Sequence, residues 1–336
     1  WWNKCTFCNL NQQWRGYRAK SASRTEQEIH HLAEKHGSLD FIFTDNVLPV
    51  KDATRLFKSL SKSSADYSFF AEMRAEQCRN LPLFKKGGLS TIQVGIEAMS
   101  NSLLNRLGKG GTVIENIFAM KTAQENNIEL HGNLITEFPG STKKEVDETL
   151  KNLEYILPFF PLATASFFLG QGSPVACNPK KFGILALQTH SNYRRLLPEK
   201  IVKDLNLLLM DYRGDRTVQR KLWAPVVKKV DVWRKFHQKR THNTSKGPPL
   251  SYRDGGPFLI IRQKLPEQPI LHHRLTGTSR KIYLHCAHIS SFSELCDCFK
   301  GIDKKKMKHF LDDLVKKRLM FAQDEDYLAL AVHNSI

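Results

Sequence analysis

The sequence predicts an α/β protein built on a parallel sheet, followed by a smaller α+β segment in winged-helix order. Three observations predict it. Short apolar runs alternate with amphipathic helical patterns up to about residue 170. Acidic residues recur just past those runs. The end of the chain reads helix, helix, hairpin. Strands that alternate with helices are βαβ units, which suit either an open doubly wound sheet or a barrel.

Taken in order, Thr25-Glu26-Gln27-Glu28 reads as a capping box, with Ile29, Leu32 and Ala33 following at helical spacing. Phe41-Ile42-Phe43 reads as a strand ending at Asp45-Asn46, and Leu56, Phe57 and Leu60 share one face of the next helix. Tyr67–Ala71 is a strand ending in Glu72 and Arg74, and a helix then runs to Gly87-Gly88. Thr91–Val94 is a strand ending in Gly95-Ile96-Glu97. Thr112–Glu115 is a second capping box, opening a helix with Ile117, Met120 and Lys121. Leu130–Ile135 is a strand leading into Glu137-Phe138-Pro139-Gly140, Thr142–Glu145 caps another helix, and Ala165–Leu169 is the last strand of the series. Asp45, Glu72, Arg74, Glu97 and Glu137 therefore fall at C-terminal strand ends, the edge on which parallel α/β folds build their sites. One such acid is commonly a helix cap; a succession of them argues for a shared site.

The polar stretch Gln238 to Pro257 reads as a linker, within which Asn243-Thr244-Ser245 fits a glycosylation sequon. Beyond it, Lys281–His285 reads as a strand and Ser291-Phe292-Ser293-Glu294 caps a short helix. Met307, Phe310, Leu311, Leu314 and Val315 form the apolar stripe of a helix after Asp303. Leu319–Ala322 and Tyr327–Val332 read as a hairpin about a Gln323-Asp324-Glu325-Asp326 turn. The expected division is 1–170 for the sheet-based unit, 171–245 for a helical extension completing its core, and 246–336 for the winged-helix-like unit.

A hydrophobic content of 41% with 25% charged residues describes a folded protein. Its seven cysteines are scattered, which excludes a secreted disulfide scaffold and favours a reducing cytoplasm. The most apolar stretch, Leu153 to Gly170, is broken by Pro158 and Pro161 and does not read as a membrane span. The formal charge of +18, much of it in Lys228–Lys246 and Lys304–Arg318, fits a solvated surface or an acidic partner such as a peptide, a phosphate ligand or RNA. His131 and the His272-His273 pair read as surface or packing residues, and Cys78 and Cys177 as buried small hydrophobes. The chain opens on Trp1-Trp2 with a motif starting at once, and is expected to be a piece of a longer protein.

That motif is Cys5-Thr6-Phe7-Cys8. A CxxC has three readings: half a zinc site, a thiol–disulfide pair, or part of an iron–sulfur site. Zinc needs two further ligands; His30-His31 lie in a predicted helix, and Cys286, Cys296 and Cys298 lie far along the chain. A redox pair opens a helix after a strand, whereas Asn9-Leu10-Asn11 and Arg15-Gly16 read as loop.

Several stretches, in this order, resemble the radical S-adenosylmethionine (SAM) enzymes that mature ribosomally made peptides, including cobalamin-dependent peptide C-methyltransferases. They are Trp1-Trp2 with CTFCNLN (Cys5–Asn11), FTDNVLP (Phe43–Pro49), QVGIEAMS through KG (Gln93–Gly110) and NLITEFPG (Asn133–Gly140). Ser173-Pro174 with Lys181-Phe182-Gly183, and YLALAV (Tyr327–Val332), complete the set. The resemblance implies a partial, TIM-like (β/α)6 barrel whose first strand and first cluster cysteine precede Trp1, leaving five strands here. It implies Cys5 and Cys8 as ligands of a 4Fe-4S cluster and Phe7 near the adenine of SAM. Asp45 and Asn46 stand in place of the glycine-rich motif that meets the SAM amine. Glu72 and Arg74 would meet other polar groups of SAM, Arg74 suiting the carboxylate through its planar fork. Gly95 and Glu97 would lie beside the ribose, and Phe138 to Gly140 would offer backbone to the adenine. Asn9 departs from the family's glycine and Ser141 from its acidic residue.

The implied cofactors are SAM, the 4Fe-4S cluster and, in the cobalamin subgroup, cobalamin on an upstream domain. The implied partners are a precursor peptide, gripped by the lysine-rich C-terminal unit, and a one-electron donor such as flavodoxin or ferredoxin. The alternatives are a radical SAM enzyme acting on RNA, which the charge suits, and a non-enzymatic zinc- or nucleic-acid-binding protein.

Overall fold

The computed structural model describes residues 5–10, 18–205, 207–241 and 247–334. Trp1-Trp2, Asn11, Arg15-Gly16 and the Asn243-Thr244-Ser245 sequon lie outside them.

Four parallel strands lie side by side: β1 (Asp40–Ile42), β2 (Ser68–Met73), β3 (Leu89–Val94) and β4 (Glu129–His131). The predicted strand Leu130–Ile135 divides at Gly132, because its two halves serve different neighbours. β4 pairs with β3, whereas β5 (Asn133–Thr136) pairs in parallel with β6 (Ala163–Ser166). A side chain at Gly132 would press on Leu162, Val94 O and Ile96 at 3.0–3.2 Å, so only glycine lets the chain pass there. A bridge between Glu97 and Leu134 carries the sheet across the break. The result is a partial parallel barrel.

Helix α1 (Ala22–His36) precedes β1, and α2 (Val50–Leu60), α3 (Leu81–Lys86), α4 (Asn101–Arg106), α5 (Val113–Glu125) and α6 (Lys143–Ile156) connect the strands that follow. Strand β2 alternates strictly: Phe69, Ala71 and Met73 are buried, while Phe70 and Glu72 are half-exposed on the concave side. On the convex side Phe57 of α2 meets Phe69 and Phe84, with ring centroids 5.8 and 4.7 Å away. The capping boxes at Thr112 and Thr142 form as read: Glu115 accepts from Thr112 N at 2.9 Å and Glu145 from Thr142 N at 2.7 Å. Helix α1 differs. Ser21 accepts from Arg24 N and starts the helix earlier, so Thr25 lies inside it and donates to Ser21 O at 3.1 Å.

After β6 the chain makes a small antiparallel sheet, where only helices are expected from the sequence. Its strands are β7 (Leu169–Gly170), β8 (Ala186–Thr189) and β9 (Leu209–Arg213), in the order β7-β9-β8. Strands this short are set by long-range pairing, which local periodicity cannot reveal. They enclose the short helices α7 (Pro174–Cys177), α8 (Ser191–Leu196) and α9 (Glu199–Asp204). The long helix α10 (Arg216–Thr241) then runs along the outside of the barrel, and its Trp233 donates to Leu157 O and Phe159 O at 3.1 Å each.

The C-terminal part opens with β10 (Leu250–Asp254), β11 (Phe258–Gln263) and β12 (Leu271–Thr276), an antiparallel meander. It continues with α11 (Gly277–His285), β13 (Ser290–Ser291), α12 (Phe292–Cys298), α13 (Lys304–Lys316), β14 (Met320–Gln323) and β15 (Asp326–Ala329). Sheet order β13-β15-β14 completes a winged-helix arrangement. Four readings need correction. Strand β10 occupies part of the expected linker. Lys281–His285 is the end of helix α11, a run too short for its period to separate helix from strand. The hairpin ends at Ala329, and β16 (Val332–His333) leaves it to pair in parallel with β10. Cys177 is exposed rather than buried.

Lys121 of α5 joins the barrel to this C-terminal part. Its side chain is buried, and Nζ donates to Ala287 O at 2.6 Å, just past α11. Burial pushes its pKa down to about 8. Between that value and the ordinary one the unfolded chain binds more protons than the folded one, so this lysine makes stability rise with pH. From pH 8 to 9 the protein should gain about 1 kcal/mol relative to Lys121→Met. Urea midpoints at both pH values check this; parallel behaviour of the two proteins would show that Lys121 is not the cause.

Candidate functional site

The cysteine turn closes with Cys8 N donating to Cys5 O at 3.1 Å. Thr6 straps it down: its N donates to Leu107 O at 2.8 Å, its hydroxyl to Arg106 O at 3.0 Å, and its carbonyl accepts from Val175 N at 3.0 Å. The turn thus sits on the C-terminal end of α4 and against α7. Burial raises the pKa of Cys5; the positive charges of Lys109 and Arg74 work against that rise, while Cys8 and Glu97 add to it. Cys5, Cys8, Arg74 and Glu97 are therefore brought together, with Lys109 among them.

Lys109 is the residue that sequence reasoning missed. Its Nζ lies 3.3 Å from Glu97 Oε1, and its carbonyl accepts from Arg74 Nη2 at 3.1 Å. A side chain at Gly95 would collide with Lys109 Nζ and sit 3.0 Å from Glu97 Oε1, so glycine leaves room for the ion pair. The available signal is the Lys109-Gly110 pair that ends the Gln93–Gly110 stretch.

Glu72 lies on the concave face, level with Gln93 and His131 across the sheet, and burial raises its carboxyl pKa. Arg74 N donates to Gln77 Oε1 at 2.9 Å, Gln77 Nε2 to Leu48 O at 2.8 Å, and Leu48 N to Glu72 O at 3.2 Å. These bonds hold the loop of Asp45 and Asn46 against the end of β2. Both residues are exposed on the same barrel edge, and Asp45 is not among the charges that act on Cys5.

The Phe138–Gly140 loop is held from two sides. The Phe138 ring is buried against Phe167 and Phe182, at 5.1 and 5.9 Å, leaving only its backbone toward the barrel edge. Arg106 lies 5.6 Å over that ring and donates to Pro139 O at 2.9 Å and Gly140 O at 2.6 Å, while pairing with buried Glu145 at 3.3 Å. Gly140, at φ +69, donates to Asp215 Oδ2 at 2.9 Å, just before α10. Arg106 and Asp215 carried no sequence signal, because their partners here are main-chain groups.

Phe7 is half-buried against the core. Asn9 is buried against Gly170, its amide carbon 2.8 Å from where a Cβ would stand, and its Nδ2 has no hydrogen-bond partner among the described residues. The described residues contain no group of three His, Cys, Asp or Glu able to hold a metal ion. They thus offer an iron–sulfur cluster two thiols and an idle buried donor, but not a complete ligand set.

Arg106→Ala should destabilise the fold by about 2–3 kcal/mol, since it strips two carbonyls and leaves Glu145 without its cation. Arg106→Lys should recover less than half of that, lacking the planar fork. Denaturant midpoints check both, and equal stability of all three proteins would dismiss the bridging role.

Residues 2–153 match the model of the radical SAM superfamily. An uncharacterized methyltransferase of Pyrococcus horikoshii is 30% identical over 155 residues, which cover 44% of this chain and 33% of that protein. The cobalamin-dependent S-adenosylmethionine radical enzyme OxsB, with aqua-cobalamin bound, superposes with a TM-score of 0.52 at 14% identity, over 72% of this chain and 46% of that one. The radical S-adenosylmethionine methyltransferase TsrM from Kitasatospora setae, with tryptophan and a SAM analogue bound, gives 0.51 at 16% identity, over 69% and 49%. The chain spans about a third of the curated relative and under half of each solved one. At such identities the two solved structures speak for the fold alone, and the match to the radical SAM superfamily extends over residues 2–153, a little under half of the chain.

Proposed function

We propose that this chain is the catalytic core of a cytoplasmic radical SAM methyltransferase that modifies a ribosomally made peptide. Cys5 and Cys8 hold two corners of its 4Fe-4S cluster, and cobalamin is carried by an upstream domain. The observation that carries the reading is the convergence of Cys5, Arg74, Glu97 and Lys109 at the C-terminal edge of the parallel strands. The methyltransferase name of the Pyrococcus relative and the cobalamin of the OxsB structure support the chemistry. Every described cysteine is free, which suits a reducing compartment. The peptide rests on the sequence resemblance.

When bound, the cluster supplies the electron with which the SAM sulfonium is cleaved, drawn from a donor such as flavodoxin or ferredoxin. The protein's own residues bind and orient. Arg74, whose Nε pairs with Glu76 at 2.6 Å and whose Nη2 is held by the Lys109 carbonyl, turns its remaining N–H groups to the SAM carboxylate. Glu97 accepts from the ribose hydroxyls, its carboxylate steadied by Lys109. Glu72, kept easier to protonate by burial, faces the same concavity and meets another polar group of SAM. The positive φ of Gly140 turns bare backbone toward the adenine, and Arg106 keeps that loop in register with the cysteine turn. Phe7 closes the adenine side, and Asp45 and Asn46 take the amine.

Anaerobic reconstitution should load iron and sulfide, and Cys5→Ser or Cys8→Ser should abolish both the cluster's visible absorbance and the release of 5′-deoxyadenosine. Arg74→Lys should raise the Kd for SAM about tenfold while leaving iron content intact. Stoichiometric zinc without iron would overturn the proposal.

A further inference from the structure

We propose that the edge of β8 left unpaired among the described residues, with the cations around it, docks an extended acidic peptide whose alternate residues are apolar. The proposal deepens the peptide reading above and rests on it for the nature of the partner.

Three observations converge on this edge. The first is position. Phe167 N still donates to Thr136 O at 2.8 Å, extending the β5–β6 pairing, and two residues later the chain enters β7. Tyr212 of β9 lies 6.0 Å from the Phe167 ring. The β7-β9-β8 sheet therefore hangs from the C-terminal edge of the barrel, beside the site.

The second is an unguarded strand. β8 is an outer strand of its sheet, and Ile184-Leu185-Ala186-Leu187-Gln188-Thr189 contains no charge and no proline. Natural edges are normally blunted by one or the other. Gln171 N donates to Leu208 O at 2.8 Å, so Leu208, Met210 and Tyr212 face β7 while Asp211 and Arg213 face β8; their partners Gln188 and Ala186 therefore turn their backbone groups inward, and Leu187 and Thr189 turn theirs outward. Leu185 is 75% and Leu187 39% exposed, and Leu196 of the following helix α8 is 76% exposed. Single exposed leucines are ordinary; Leu185 and Leu187 together make this edge an apolar contact surface.

The third is charge. From residue 171 to 213, the stretch that forms this sheet and its short helices, the sequence holds seven Lys and Arg against three Asp and Glu, a net +4. No acid at all occurs between 155 and 198. Lys180 and Lys181 precede β8, Arg194, Arg195 and Lys200 follow it, and all five are exposed. A carboxylate-rich strand complements such a rim, since main-chain pairing supplies affinity and the side chains supply selection. The exposed apolar groups on the β8 edge itself, Leu185 and Leu187, are aliphatic, with Phe168 before β7 the exposed aromatic of this sheet, whereas single-stranded RNA is bound by stacking on successive aromatic faces.

The test is fluorescence anisotropy on the apoprotein, using a labelled peptide of about a dozen alternating Glu and Leu residues. A Lys–Leu counterpart, oligouridine and vesicles of phosphatidylserine in phosphatidylcholine serve as competitors. The Glu–Leu peptide should bind saturably and more weakly as salt rises. Leu187→Pro, which removes an outward N–H and no inward bond, should lower affinity at least tenfold, whereas Leu187→Val should stay within twofold. Arg194→Glu with Arg195→Glu should lower it at least tenfold and flatten the salt dependence, keeping the test open should the proline variant melt early. Equal binding of the Lys–Leu peptide, indifference to both changes, or displacement by RNA or vesicles at lower concentration would overturn the proposal. A protein that cleaves SAM yet ignores the peptide overturns this inference alone; one that binds it but takes up no iron overturns the enzyme reading alone.

Discussion

The mouth of the barrel depends on the last turn of α4. Its final carbonyls, those of Arg106 and Leu107, receive the two donors of Thr6, so the cysteine turn is fastened to a helix end that would otherwise leave them unpaired. The Arg106 side chain reaches the other way, into the carbonyls of Pro139 and Gly140 and onto buried Glu145. Two loops that are far apart in sequence thereby share one rigid anchor. Glu145 is itself the partner of Thr142 in a capping box, so the same carboxylate starts α6 and neutralises the arginine that holds the loop before it. A change at any of these groups is felt at the others.

What the sequence made legible was whatever repeats locally. The alternation of β2, the capping boxes at Thr112 and Thr142 and the apolar stripe of α13 are short-range patterns, and each element formed where its pattern lies. Elements defined by a partner far along the chain were not legible. β8 exists because Asp211 to Arg213 lie opposite Ala186 to Gln188, and β16 because β10 has an edge to accept it. Gly132 shows the middle case. It is visible as a glycine within a strand, but its meaning, a change of partner under pressure from Leu162 and Ile96, needs the third dimension.

The candidate site divides in the same way. The polar strand ends at Glu72, Arg74 and Glu97 were visible because parallel sheets concentrate chemistry on one edge. Lys109 was not, since it follows a helix and belongs to no strand. It reaches the cluster of charges across Gly95, where a side chain would meet its Nζ and make it shift. Arg106 was invisible for a different reason. A side chain that bonds main-chain carbonyls has no complementary residue type to signal it.

The backbone at Glu97 and Glu137 carries this further. Both have φ near +60, at 60 and 61 degrees, a region that glutamate seldom enters. Such conformations cost about 1–3 kcal/mol each and persist only where their surroundings over-determine them. Here they do. Glu97 O accepts from Ile135 N at 2.8 Å while its carboxylate meets Lys109, and Glu137 accepts from Ser166 at 3.1 Å with Arg220 at 3.9 Å. The two residues follow β3 and β5, strands joined through the Glu97–Leu134 bridge. The left-handed step at each strand end therefore does two things at once: it breaks the strand, and it turns a carboxylate away from the direction the pleat would have given it. Asparagine or glycine would enter that region at less cost, but neither would bring a charge. A fold that keeps glutamate at both positions accepts strain in its backbone to set the direction of two negative groups. That is the arrangement expected of an edge that binds a ligand, not of one that only ends its strands.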